Sequence, residues 1–418
     1  MKVLVIGGGA REHAIVWKLS QSPQISKLYC APGNAGIAEM ADCIDIKAED
    51  IEKLLEFALN NKIDLTVVGP ETALVMGVVD LFEQKGLRIF GPNKKAAQLE
   101  GSKVFSKDFM QKYKIPTARY EAYSSLESAV LGLHQFDLPI VIKVDGLAAG
   151  KGVIIAQTRQ EAVDAIYSIM GDGKFGEAGK TIVVEEFLQG KEASVLAFVD
   201  GNIAIPMVSA QDYKRAKDED EGLNTGGMGA ISPAFYYNDS IEETVRSKII
   251  DPTVQALKDE GISYKGVLYF GIMLTEKGPK LLEYNVRFGD PETEVILPRL
   301  QSDLVDIMDR VVDGTLDEVD IRWSDKKAVC VVVASGGYPE KFEVGYEVSG
   351  TKLEDKEVII FHAGTKLHNG SVVTAGGRVL VVCALGESYE SARSKVYAAI
   401  SNIRFQNQHF RTDIGIFS

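Results

Sequence analysis

Short apolar runs alternate with amphipathic stretches over the first hundred residues. Lys2–Ile6 is nearly all apolar, the pattern of a strand buried on both faces. Arg11–Leu19 follows as a helix. In Asp50–Asn60 the apolar positions Ile51, Leu54, Leu55, Ala58 and Leu59 keep the 3.6-residue period of a helix with one buried face. Asp64–Val68 and Arg88–Phe90 read as further strands, ending in Gly69-Pro70 and Gly91-Pro92. Strands alternating with helices predict βαβ units and a parallel sheet. Ligands bind beyond the carboxyl ends of such strands. Here those ends are Gly7-Gly8-Gly9, Ala31-Pro32-Gly33-Asn34 and Gly69-Pro70-Glu71-Thr72.

A helix over Ser102–Lys114, broken at Ile115-Pro116, closes this unit. Residues 118 to 190 follow a different pattern: strands Ile140–Val144, Val153–Ala156 and Thr181–Glu185, with a helix over Arg159–Met170. Two glycine-rich segments lie between them, Asp145–Gly152 and Gly171–Gly176. A third block has long strands joined by tight turns at Asp200-Gly201 and Glu276-Lys277-Gly278. Its loop Lys214–Gly229, charged and then glycine-rich, is too long for a mere connector. From Asp325 onward, strands Ala328–Ala334, Val358–His362, Val372–Thr374 and Arg378–Cys383 with a helix Tyr389–Ile400 predict a small α+β cap. We assign that cap a structural role.

Composition narrows the function classes. The 418 residues include 46 basic and 59 acidic ones, a formal charge of −13, which argues against the basic footprint nucleic-acid binding needs. No apolar run reaches the ~20 residues needed to cross a bilayer, and the first apolar run is too short for a signal peptide. Cys30, Cys43, Cys330 and Cys383 show no CxxC spacing, and we expect reduced core thiols in a cytoplasmic protein. Five histidines without HxxxH or HxH spacing weaken a transition-metal reading.

Several segments carry candidate chemistry. Gly7 and Gly9 fit GxGxxG, but the third position is Glu12, where a dinucleotide fingerprint needs glycine for close helix–strand packing. Anion binding at the helix start and an empty glycine turn both remain open. Lys143 ends an apolar strand, and Lys151 lies in a loop with Gly146, Gly150 and Gly152. Such a loop lets backbone amides approach phosphate while ammonium groups neutralise it, although the Walker spacing is absent. Gly171–Gly176 with Lys174 suggests a second side to the clamp, and two lysines beside flexible turns is the alternative. Val183–Leu188 runs from a strand into an extended linker, which an adenine edge can pair with, or which simply leaves the sheet. In Leu281–Asp290, alternation puts Glu283, Asn285 and Arg287 on one face, with Leu282, Tyr284, Val286 and Phe288 in a core. A carboxylate beside an amide oxygen suits Mg²⁺, and an arginine there suits phosphoryl transfer. A solvated Glu–Arg pair is the alternative. Capping accounts for the carboxylates of Asp290-Pro291-Glu292-Thr293-Glu294. Asp212 and the loop Asn224–Gly229 offer a carboxylate and exposed amides.

Taken in order, six segments resemble the ATP-grasp superfamily and, more closely, its phosphoribosylamine–glycine ligase family. They are Val5–His13, Ala31–Gly36, Val68–Glu71, Lys143–Gly152, Asn224–Gly229 and Glu283–Glu292. The resemblance implies an N-terminal parallel-sheet α/β domain, an ATP-grasp fold made of a mobile lid and an antiparallel central domain, and a small α+β C-terminal domain. The boundaries drawn are 1–101 for the phosphoribosyl substrate, 102–190 for linker and lid, 191–325 for metal and substrate, and 326–418. It implies ATP-dependent ligation of glycine to 5-phosphoribosylamine in purine biosynthesis through a glycyl phosphate, with Mg²⁺ or Mn²⁺. Lys103, Lys143, Gly150, Lys151, Gly152 and Lys174 would meet ATP phosphates. Glu185, Glu186, Phe187 and Leu188 would line adenine and the hinge, and Glu192 the ribose. Glu283 and Asn285 would hold the metal, and Arg287, with Lys143, would serve catalysis. Gly8, Gly9, Ala10, Arg11, Glu12, Gly33, Asn34 and Glu71 would receive the phosphoribosyl group. Asp212, Gly226, Gly227, Met228, Gly229, Asp290, Pro291 and Glu292 would surround glycine and the amine. Many members carry another acidic metal ligand about where Gly271 falls, so fewer protein oxygens ligate the ion here. No nucleic-acid or membrane partner is implied; the oligomeric state is open, and a monomer is compatible with the site.

Three rivals make different demands. A nicotinamide-dependent dehydrogenase would use the N-terminal glycines and leave Lys143 and Glu283–Arg287 idle. A related ATP-grasp carboxylase or formate-using transferase would keep the nucleotide site without the Asn224–Gly229 loop. A non-catalytic nucleotide-binding module would need neither Glu283 nor Arg287.

Overall fold

Five parallel strands open the chain, in the spatial order Asp42–Cys43, Lys27–Pro32, Lys2–Gly7, Leu65–Val68 and Ile89–Phe90. The computed structural model describes residues 1–148, 152–352, 355 and 357–417. Val3 and Val5 enter one core while Leu4 and Ile6 enter another, so the apolar run is buried on both faces as expected. Helices Ala10–Leu19 and Ile51–Asn61 fall where the periodicity put them.

Strands Tyr120–Tyr123, Ile182–Glu186, Ile140–Val144 and Val153–Ala156 form an antiparallel sheet. Its core, which includes Ile140, Ile142, Ile166, Ile182 and Val184, is separate from those of the rest of the chain. The α-helix predicted to Met170 stops at Ile166, and its last turn widens so that Asp172 N–H bonds Tyr167 O at 3.1 Å.

Beneath it lies a second antiparallel sheet, in the order Ala204–Pro206, Lys191–Val199, Gly266–Thr275 and Gly278–Asn285. One departure from alternation matters here. Gly271 faces Glu283 and Ile272 faces Leu281, so Leu282 is an extra residue in a β-bulge. Leu281 and Tyr284 are fully buried in the main core, but Leu282 joins Ala118, Leu188 and Met273 in a small cluster between the two sheets. The expectation that Leu282 packs with Tyr284 is therefore corrected. Gly271 does lie opposite Glu283, at the position where the resemblance called for another ligand.

The C-terminal sheet runs Gln211–Asp212, Gly229–Ser232, Lys327–Ser335, Arg378–Gly386 and Val358–His362, with Gln408–His409 beside Lys327–Ser335. Two of its strands thus come from the block placed before residue 325. Cys30, Cys330 and Cys383 are buried, but Cys43 is exposed, because its two-residue strand forms the sheet edge. That corrects the reading of all four as core thiols. Among the described residues no helix is long and apolar enough to cross a membrane.

Candidate active site

The sheet that holds Ile140–Val144 and Ile182–Glu186 and the sheet that holds Gly278–Asn285 face each other across a charged crevice. Helix Lys103–Lys112 begins with a cap from Ser102, whose Oγ accepts from Phe105 N–H. It sets Lys103 and Lys107 one turn apart on one face. Lys103 Nζ lies 3.0 Å from Glu283 Oε2, and Lys107 Nζ lies 3.0 Å from Glu185 Oε2. Glu185 Oε1 lies 3.0 Å from Lys143 Nζ. Lys103 and, after it, Lys143 outweigh burial and hold the Glu283 carboxyl well below the usual range. Burial pushes the Lys107 ammonium down to about 8 despite Glu185 beside it. For Glu185, burial opposes its charge, and Lys143 and Lys107 more than offset it. Leu188, Ala118, Met273 and Leu282 form an apolar patch next to this cluster, and Lys143 Nζ approaches Leu282 O at 3.5 Å.

Beyond Glu283 the strand carries Asn285 and Arg287. Arg287 does not pair with Glu283. Its Nη2 donates to Glu100 Oε1 at 2.8 Å and approaches Asn285 Oδ1 at 3.4 Å, while Nε reaches Glu71 Oε2 at 3.3 Å. Glu100 also accepts from Val286 N–H at 2.7 Å, so one buried carboxylate fixes the strand end. Burial resists ionisation of Glu71, but Arg287 and Arg11 bring its carboxyl down to about 2.

At the N-terminal glycine turn, Glu12 explains the broken fingerprint. Its Oε2 accepts from Gly9 N–H at 2.6 Å and its Oε1 from Arg11 Nε at 2.6 Å. A Cβ at Gly7 or Gly69 would lie 2.5 Å or 2.1 Å from Glu12 side-chain atoms. The missing third glycine is thus compensated by two others that make room for a carboxylate. That carboxylate takes the Gly9 amide, the donor the anion reading relied on, and its charge disfavours a dinucleotide pyrophosphate there. Asn34 donates to Gly8 O at 2.9 Å and to His362 O at 2.7 Å, holding the Gly33-Asn34 turn between two domains.

The third part lies between the central and C-terminal sheets. Gly227 has φ of +109°, and a Cβ on it would meet Pro291 Cδ at 2.3 Å and Asp212 Oδ1 at 2.8 Å, so only glycine fits. Asp212 Oδ1 is buried with no hydrogen-bond partner among the described residues. Burial, followed by the charge of Glu292, pushes its carboxyl well above the usual range. Glu292 Oε1 accepts from Ser194 Oγ at 2.9 Å, and Asp290 Oδ1 lies 3.0 Å from Arg378 Nη1. The short helix Thr293–Ile296 has no side-chain cap, so capping does not account for these carboxylates.

The last ninety residues anchor the Lys214–Gly229 loop. Gly226 is gripped by the C-terminal domain on both sides: its N–H donates to Tyr338 Oη at 3.1 Å and its carbonyl accepts from Arg378 Nη1 at 2.6 Å. The outer part of the same loop is tied down by Arg411 to Asp220 at 2.8 Å and by Thr412 N–H to Asp218 at 2.7 Å. Arg378, Tyr338, Lys107 and Glu100 were missed from sequence. Only Lys107 had a signal, four residues after Lys103.

Other expected residues are placed as follows. Gly150 and Lys151 lie outside the described residues, while Gly152 is buried against Val144. Lys174 is exposed over the Phe175 ring and forms no ion pair among the described residues. Glu186 pairs with Lys280 at 3.0 Å, Glu192 pairs with Lys214, and Phe187 is exposed. Met228 is buried on the loop, and Ala10 opens the first helix. Among the described residues no group of three or more His, Cys, Asp or Glu is arranged to hold a metal ion. Glu283 and Asn285 are both partly exposed to the crevice, and their ionised carboxylate and amide oxygen suit a hard divalent cation that keeps several waters.

Comparison with known proteins yields matches along nearly the whole chain. Sequence models match for "Phosphoribosylglycinamide synthetase, N domain" over residues 1–100, for its ATP-grasp (A) domain over 101–293 and for its C domain over 328–416. The phosphoribosylamine–glycine ligase of Caldanaerobacter subterraneus subsp. tengcongensis is 52% identical over 414 residues, 99% of either chain. The crystal structure of phosphoribosylamine–glycine ligase from Thermotoga maritima has a TM-score of 0.86 at 35% identity, covering 99% of this chain and 100% of that one. The biotin carboxylase domain of Hydrogenobacter thermophilus 2-oxoglutarate carboxylase, at 17% identity and a TM-score of 0.77 over 98% and 91% of the two chains, shares the fold. With models of one family matching residues 1–293 and 328–416 and relatives of that family aligning over nearly the whole length, this chain belongs to the phosphoribosylglycinamide synthetase family of ATP-grasp ligases.

Proposed function

We propose that this crevice is where the chain joins glycine to 5-phosphoribosylamine at the expense of ATP, through a glycyl phosphate. The chain is an ATP-dependent ligase of purine biosynthesis, giving glycinamide ribonucleotide, ADP and phosphate. The observation that carries the site assignment is one strand. Gly278–Asn285 and its continuation to Glu292 bear, in order, Glu283 paired with Lys103, Asn285 and Arg287, then Asp290 and Glu292 facing the Gly226–Gly229 loop.

Adenine fits the apolar patch of Leu188, Met273 and Leu282, with its phosphates toward Lys143 and Lys103. Residues 118–190 act as the lid, for which a core of their own supplies independence from the floor. Glu283 and Asn285 would hold Mg²⁺ or Mn²⁺, which when bound neutralises charge on the triphosphate. Arg287 is braced by Glu100 and Glu71 so that its charge stays fixed near the transferring group. Asp212, opposed by Glu292 and short of a partner, suits the ammonium group of glycine, because a cation there relieves two crowded carboxylates. Residues 1–101 take the phosphoribosyl group, with Arg11 and the Gly33-Asn34 turn at the strand ends. Catalysis then rests on positioning and charge, with no protein nucleophile required.

ADP release measured with each substrate omitted in turn tests the assignment. It should require both glycine and 5-phosphoribosylamine for sustained turnover, and release independent of glycine would overturn it. Lys143→Ala should raise the ATP concentration needed and slow turnover, and unchanged kinetics would remove Lys143 from the phosphate site. Arg378→Met should raise the KM for glycine roughly ten- to hundredfold, as expected for losing charge-assisted bonds. The KM for ATP should stay nearly constant, and equal shifts in both would point to general loosening.

A further inference from the structure

Glu185 has two lysine partners where one would neutralise it. Lys107 and Lys143 each place Nζ 3.0 Å from a different oxygen of its carboxylate, and the side chains of Lys107 and Glu185 are only 2% exposed. The wider cluster holds Lys103, Lys107 and Lys143 against Glu185 and Glu283, three cations facing two anions. The two partners of Glu185 differ in their freedom. Lys107 Nζ donates to Thr117 Oγ1 at 2.8 Å, and that hydroxyl donates to Leu281 O at 2.6 Å, so Lys107 is tied to the floor sheet. Among the described residues Lys143 has beyond Glu185 only a long 3.5 Å approach to Leu282 O, at the bulge that opens toward the crevice. It stands on a strand of the lid.

We infer that Lys107 is a positioning residue that keeps Glu185 neutralised while a nucleotide phosphate draws Lys143 away. A buried carboxylate stripped of its sole cation is strongly disfavoured, so with one lysine Glu185 would compete with the nucleotide for Lys143. With two, Lys143 is released at little cost. The inference rests on the reading of Lys143 as a phosphate ligand, and adds to it the reason that lysine is free to act.

A crystal structure with Mg²⁺ and the non-hydrolysable analogue adenylyl imidodiphosphate tests it without any substitution. Lys107 should stay on Glu185 while Lys143 bonds a phosphate oxygen. Lys143 still on Glu185 with nucleotide in the crevice, or Lys107 on the nucleotide, would overturn the inference alone. Nucleotide bound elsewhere would overturn the site reading and this inference with it. In solution, calorimetry should show Lys107→Met binding the analogue ~10- to 100-fold more weakly. The double variant Lys107→Met/Glu185→Gln, which removes the competing charge, should bind the analogue more tightly than Lys107→Met alone. A lysine with only a structural role would lower the melting temperature and leave the affinity of the folded protein unchanged. Unchanged affinity, or a double variant that stays weak, rejects the inference. Where Lys107→Met fails to fold, the crystal structure of the unmodified chain decides.

Discussion

Glu283→Ala should lower turnover roughly 10²–10³-fold, the scale of removing one preorganised charged group from a phosphoryl-transfer site. The fold should survive, because Glu283 faces the crevice from the exposed side of the bulged strand while Tyr284 next to it carries the core contacts. Lys103 loses its partner, yet its side chain is 15% exposed. The cost in stability therefore stays below the ~3–5 kcal/mol of breaking a fully buried pair. The check is ADP release at saturating glycine and 5-phosphoribosylamine across a Mg²⁺ titration, with a thermal melt alongside. Near-normal rates at ordinary Mg²⁺ would remove Glu283 from the metal site. Asn285→Ala should behave alike, with a steeper dependence on Mg²⁺.

Acidification from pH 7.5 to pH 5 should weaken the fold through two buried imidazoles. Burial, followed by the neighbouring His362, pushes His13 down to about 3, and burial pushes His362 down to about 4. In the unfolded chain both take up protons near 6.5, so below that pH the unfolded state binds more protons than the native state. The loss sets in as pH falls through 6.5 and grows toward the native values. At pH 5 it amounts to about 2 kcal/mol for each ring. Raised carboxyls such as Asp212 and Glu294 act in the opposite sense, because protonation relieves them. The histidine part is isolated by His13→Gln: its denaturation midpoint should change less between the two pH values, by about 2 kcal/mol. An unchanged pH slope would show that His13 is not a neutral buried ring in the native chain.

The elements and the floor of the site were legible from local pattern, since strand and helix periods act over a few residues. Lys143, Glu283 and Asn285 stood out because a charged or amide residue in an apolar run needs a reason to be there. What stayed hidden depends on distant pairing. The bulge that turns Leu282 toward the crevice arises from its register with Gly271 and Ile272. Glu12 looked like a defect until Gly69, fifty-seven residues later, proved to hold space for it. Arg378 reaches Gly226 across 152 positions, and no motif around it announces that. Lys107 had only its spacing from Lys103 to mark it, and it is buried against Glu185 from a distant strand. Cys43 failed because neighbouring residues do not say which strand becomes an edge.

The membership of Gln211–Asp212 and Gly229–Ser232 in the C-terminal sheet bears on how this enzyme can be recombined with its relatives. A chimera cut by linear order near residue 325 would graft a foreign C-terminal sheet onto the donor's acceptor loop and split the grip on Gly226 between two parents. Exchanging residues 211–232 together with 328–416 moves that loop and its anchors as one graft, while the nucleotide floor stays behind.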